Sequence, residues 1–253
     1  MFNSTHISYM VISGIITIAL LLLLARFCKT EKSKKNSILF FAIITVIIHY
    51  SSLWVDFFTT GTATVDPTML LPLYPCNICM WLLLITASVK KSDRFVYKTM
   101  AEFTFWAGCV CGFIGILLNE QYAYNPTLQD YHILKGLLSH STMIVGAALL
   151  GALGYVKIRM RNVLSVALGL AMFIVVGTCM NALFAHFELP PCNSMFLLGT
   201  PYGDNSWLTT KTVGALALAV AFLLCALYEQ IFLPKEERWY RLLGNKLRSR
   251  RRS

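Results

Sequence analysis

Charge is what this chain has least of. Only 13% of its residues are Asp, Glu, Lys or Arg, against 57% hydrophobic, and its mean hydropathy is +0.62. Soluble domains carry roughly 25% charged residues, so neither a water-soluble fold, a disordered chain nor a secreted disulfide scaffold fits this composition. No heptad, no repeat of 20–50 residues and no low-complexity linker interrupts it. The chain reads as one domain, residues 1–233, followed by a basic tail, residues 234–253. No small-residue cleavage site follows the first apolar run, and its Lys and Arg come after it rather than before. It is therefore expected to be a retained span and not a signal peptide.

Long apolar runs are what the chain has instead. Seven are of the length needed to cross a bilayer, about 17–25 residues: Ile7–Phe27, Ser37–Phe57, Met69–Val89, Ala101–Leu118, Ile133–Tyr155, Val163–Phe184 and Thr212–Leu233. The expected fold is all-α, a seven-helix membrane bundle. Of the 22 Lys and Arg, all but Lys135 and Lys211 fall at the end of, or after, the first, third, fifth and seventh runs. By the positive-inside rule those loops and the tail are cytoplasmic and the N-terminus is outside. The net charge of +10 thus reports topology and does not imply nucleic acid. The tail RSRRRS is expected to lie on anionic lipid headgroups.

Polar residues inside spans are costly and therefore informative. They gather in the outer halves. His49, Tyr50, Ser51, Ser52, Trp54 and Asp56 are in the second span, Cys76, Asn77 and Cys79 in the third, and Asn119 and Glu120 at the end of the fourth. His140 is in the fifth, and the sixth leaves through Asn181 and His186. Cys76 and His140 each lie seven residues into their spans, about 10 Å deep at 1.5 Å per residue, with His49 at a similar level. This layer predicts a polar cavity open towards the outer leaflet.

The stretch LPLYPCNICMW, Leu71–Trp81, carries Pro72 and Pro75 three residues apart. Proline suits the first position of a helix, so Met69–Tyr74 is expected to be irregular and the helix to begin near Pro75. Cys76 then occupies the first turn, where the helix dipole favours a thiolate. His140 is the expected base and His49 the next choice. Asn77 or Asn181 could orient the histidine or donate to an oxyanion. Two other readings share these residues. Cys76 and Cys79 have the spacing of a redox dithiol, with Cys192 as a relay. Zinc is disfavoured because there is one Cys-x-x-Cys and no paired histidine motif. A transporter or receptor-like bundle with a polar outer vestibule is the alternative from another class. Against a receptor, no Asp-Arg-Tyr follows the third span and no Asn-Pro-x-x-Tyr closes the seventh.

These residues also carry a resemblance. LPLYPCNICMW, FWAGCVCGFIGILL, LLSHST and NALFAHFELPPCNSMFLLGTP occur in an order that resembles the YwaF-type bacterial integral membrane family, distantly related to the animal transmembrane protein 164 acyltransferase. The likeness runs from about the second span to the seventh. At one position the pattern departs: many members have histidine where this chain has Tyr74. The resemblance implies a phospholipid acyltransferase of the bacterial plasma membrane that uses Cys76 and His140 and needs no cofactor. Membrane phospholipids would be its substrates. Supporting positions are His49, Asn77, Asn181, Tyr74, Asp56 and Asn193.

Overall fold

A computed structural model describes residues 3–61, 71–118, 127–199 and 209–250. Among them there is no strand. The helices are α1 (Ser4–Phe27), α2 (Glu31–Thr60), α3 (Pro75–Ser88), α4 (Phe95–Leu117), α5 (Tyr131–Ala152), α6 (Arg161–His186), α7 (Thr210–Phe232) and α8 (Trp239–Arg250). Asn119, Glu120 and Arg251–Ser253 lie outside the described residues.

Among the described residues six helices are long and apolar enough to cross a membrane: α1, α2, α4, α5, α6 and α7. The chain is a multi-pass membrane protein. The third expected span is shorter than predicted. Its helix has 14 residues, or about 21 Å at 1.5 Å each, against a hydrocarbon core of about 30 Å. The cause is local. Pro75 excludes the helical conformation from Tyr74, which is extended at φ −114° and ψ 152°. The described part of the expected irregular stretch, Leu71–Tyr74, is non-helical, and the helix starts at Pro75. Elsewhere helices reach beyond the apolar runs because polar residues cap them: Thr30 accepts from Ser33 N at the start of α2, and Asp130 from His132 N at the start of α5.

The basic segments meet at one end of the bundle. Lys35 Nζ donates to Ser88 O at 2.7 Å, Lys91 Nζ to Gly154 O at 3.3 Å, and Arg159 pairs with Glu237 at 3.0 Å. At this end α6 begins without a cap of its own. Glu229 of α7 supplies one instead, its carboxylate accepting from Met160 N at 2.8 Å and from Trp239 N at 2.7 Å. That satisfies backbone donors that a helix start leaves unpaired. Buried Glu102 of α4 accepts from Arg161 Nε at 3.1 Å and Ser165 Oγ at 2.6 Å, fastening α4 to α6.

Helix α5 is the hub, packed against α1, α2, α3 and α4. Its contact with α4 is close because α4 offers glycine. A Cβ at Gly108 would lie 2.7 Å from Ala147 Cβ, and one at Gly112 would lie 3.1 Å from His140 O. Small residues let membrane helices approach where no hydrophobic effect drives them together. Helix α7 packs on α6, and a cluster of Trp106, Val166, Ala221 and Cys225 joins α4, α6 and α7 towards the basic end.

Candidate functional site

The start of α3 is held by a loop. After α6, the turn Ser194–Phe196 places Met195 and Phe196 at φ 55° and 51°, a left-handed conformation that costs non-glycine residues about 1–3 kcal/mol each. Contacts hold it there. Leu73 O accepts from Met195 N at 2.7 Å and from Ser194 Oγ at 3.0 Å. Asn181 Oδ1 accepts from Ser194 N at 2.7 Å and from Cys192 Sγ at 3.3 Å, while its Nδ2 donates to Ser194 O at 3.4 Å. Gly177 admits the loop, since a Cβ there would lie 2.9 Å from the Met195 side chain. The Tyr74 and Phe196 rings stack at 5.2 Å. The loop thus packs on the non-helical stretch before α3 at Leu73 and Tyr74.

Cys76 is the second residue of α3, on its first turn, where Tyr74 O accepts from Asn77 N at 3.0 Å and from Ile78 N at 3.2 Å. Its thiol donates to Asn77 Oδ1 at 3.5 Å. Asn77 is buried and its Nδ2 donates to Leu71 O at 3.4 Å, so its amide braces the turn. Cys79 points elsewhere. It is fully buried, and its Sγ lies 3.9 Å from Cys111 Sγ on α4.

His140 sits nine residues into α5, deeper along its helix than the seven expected. Its Nδ1 lies 2.7 Å from Gly136 O. A carbonyl only accepts, so Nδ1 carries the proton and neutral His140 presents Nε2 as its lone-pair nitrogen. The ring rests on Gly115 of α4, where a Cβ would overlap Cδ2 and Nε2. The His49 ring meets the Tyr50 ring edge to face at 5.0 Å.

Cys76, His140, His49 and Tyr74 all border one cavity of about 660 Å³ between α4, α5, α6 and α7, within the usual range for ligand pockets. Its polar lining is confined to the end away from the basic loops, where Lys135 and Ser139 join these residues. The remainder is apolar, with Val110 and Ile114 of α4, Leu170 and Phe173 of α6 and Val213 and Ala217 of α7 among its walls. Along α4 the wall runs from Phe103 to Leu118, about 22 Å at 1.5 Å per residue. Phe103, packed on Phe173, marks the inner end, with Trp106 on Val166 one turn away.

The other sequence candidates stand outside this lining. Asn181 is engaged with the covering loop. Asn193 accepts from Leu198 N and donates to Gly199 O, both at 2.9 Å. Asp56 lies 3.2 Å from His132 Nε2. His186 is exposed. Sequence reasoning overlooked Lys135, Ser139 and the apolar wall from α7. For Lys135 a signal existed, as it is one of two basic residues away from the basic segments. Among the described residues no group of three or more His, Cys, Asp or Glu could hold a metal ion.

The class defined here is a helical, multi-pass membrane protein whose bundle encloses a largely apolar cavity with a cysteine and a histidine at its polar end. A sequence model of the TMEM164 family matches residues 1–231, and the chain belongs to that family. The match extends the likeness read from the motifs to the first helix as well. No curated protein and no solved structure matches the chain.

Proposed function

We propose that the protein is a membrane-embedded acyltransferase that moves an acyl chain from a phospholipid to a lipid acceptor through a thioester on Cys76. One observation carries this reading. Cys76, on the first turn of a helix, and His140, with Nε2 left as acceptor, border the polar end of a cavity whose other walls are apolar. An ester at the polar end with its chain along the apolar walls suits that lining.

In the first half-reaction His140 Nε2 takes the Cys76 proton and the sulfur attacks the ester carbonyl. A carbon–sulfur bond forms, the carbon–oxygen bond breaks, and the imidazolium returns the proton to the departing alkoxide. In the second, His140 takes a proton from the acceptor alcohol, whose oxygen attacks the thioester. The carbon–sulfur bond breaks and sulfur recovers its proton. Nothing is oxidised or reduced, and neither a nucleotide nor CoA is consumed. Water as acceptor would make the same residues a lipase.

In this reading the non-helical Leu71–Tyr74 and α3 together make the third of seven crossings. The N-terminus is outside, the basic end cytoplasmic, and the site opens to the outer leaflet of the plasma membrane. The basic tail rests on anionic headgroups.

The test is intact-mass measurement of purified protein given phospholipid. A hydroxylamine-labile acyl adduct on the wild-type chain, absent after Cys76→Ala, is expected. Lipid turnover that continues unchanged in Cys76→Ala protein would overturn the reading.

A further inference from the structure

Among the described residues, Lys135 is the only Asp, Glu, Lys or Arg side chain bordering the cavity. Its Nζ donates to a neutral partner, Ser52 Oγ, at 3.3 Å. Asp56, one helical turn along α2, attracts it but lies 3.2 Å from His132 Nε2. A cation beside an apolar wall is costly unless an anion joins it, and ionisable residues at membrane depth default to functional roles. Lys135 precedes His140 by five residues on α5. That is about 7.5 Å along the helix, towards the mouth of the cavity. A glycerophospholipid has the matching order, with its phosphate on one side of a short glycerol unit and its ester carbonyls on the other.

We propose that Lys135 selects a phosphate-bearing lipid, holding the phosphodiester at the mouth while the ester lies at Cys76 and His140 and one chain fills the apolar arm. The inference rests on the acyl-transfer reading of the site and adds to it a specificity-determining residue. Lys135 donates to the phosphate oxygens. It takes no part in proton transfer, which stays with His140.

Full-length Cys76→Ala protein, which cannot form the adduct, is titrated by native mass spectrometry with dioleoylphosphatidylcholine and dioleoylglycerol. These lipids share their chains and differ in the phosphate headgroup. Charge-assisted hydrogen bonds of this kind set a preference of about tenfold for the phospholipid. Adding Lys135→Gln should abolish the preference and Lys135→Arg should keep it. Glycerophosphocholine, the headgroup without chains, should not compete. No preference in the chain that retains Lys135 overturns the proposal without recourse to any Lys135 variant, and so does a preference that survives Lys135→Gln. Equal competition by glycerophosphocholine would make this a site for soluble phosphate esters and overturn the lipid assignment. If the preference holds but wild-type protein never forms an acyl adduct, the acyl-transfer reading fails while Lys135 keeps its selecting role.

Discussion

The imidazole of His140 lies against the bare Cα of Gly115, where a methyl group would overlap Cδ2 and Nε2. One helix thus aims the base of another: Nδ1 is tied to Gly136 O within α5, and α4 sets the face on which the ring rests. In Gly115→Ala the ring must move. A displacement of about 1 Å at a reacting group costs on the order of 100-fold in rate. The expected result is a fall of that size in acyl transfer, measured as adduct formation, with lipid binding nearly unchanged.

Cys76 and Cys79 make a sharper pair. Cys76→Ser should lose adduct formation. Cys79→Ala should keep it and lose about 1 kcal/mol of stability, from one buried group removed beside Cys111. The measurements are intact mass and thermal unfolding in detergent. Equal loss of activity from both would support a dithiol instead.

Asn181 and Ser194 offer a test of positioning against chemistry. Because both amide atoms of Asn181 are bonded to Ser194 backbone, Asn181→Ala should loosen the loop over Leu73 and cost about 1–3 kcal/mol. Removing an oxyanion donor would instead lower kcat by roughly 100- to 1000-fold. Melting temperature and single-turnover rate, measured together, separate the two. A large rate loss at unchanged stability would return Asn181 to the reacting centre.

Glu102 joins α4 to α6 near the basic end of the bundle, away from Cys76 at the start of α3. Arg161 is about half exposed, so water compensates it in part when its partner is removed. Glu102→Ala is therefore expected to cost about 2 kcal/mol, below the 3–5 kcal/mol of a fully buried pair. Adduct formation per folded molecule should be unchanged. A rate defect without a stability defect would contradict a purely structural role.

Orientation has its own measurement. Membrane-impermeant thiol labelling of a cysteine introduced at Asn3, in a background lacking exposed Cys179, should modify intact cells. The same label at Lys235 should require permeabilisation. The reverse pattern would put the site on the cytoplasmic side.

Much of the architecture was legible in composition and spacing. Low charge and apolar runs determined a helical membrane bundle because a bilayer requires every backbone group to be paired within the segment. Pro72 and Pro75 determined where α3 begins, since a proline restricts the residue before it whatever surrounds the chain. The length of α3 was less legible: the apolar run continues through Leu70 and Leu71, and hydropathy does not report where helical geometry stops.

The site divides in the same way. That Cys76 and His140 are polar at membrane depth follows from sequence, because such residues need protein around them. That they share one cavity does not. It depends on how α4 lies against α5 through Gly108 and Gly112, and on a loop that takes a left-handed turn at Met195 to reach Leu73 O. Lys135 shows the limit most plainly. As a residue it was only an exception to a charge rule, and its place beside an apolar wall was decided by the packing of three helices. Local backbone preferences and solvent class are properties of a stretch of residues. Which side chains face one another is a property of interhelical contact, and only the tertiary structure settles it.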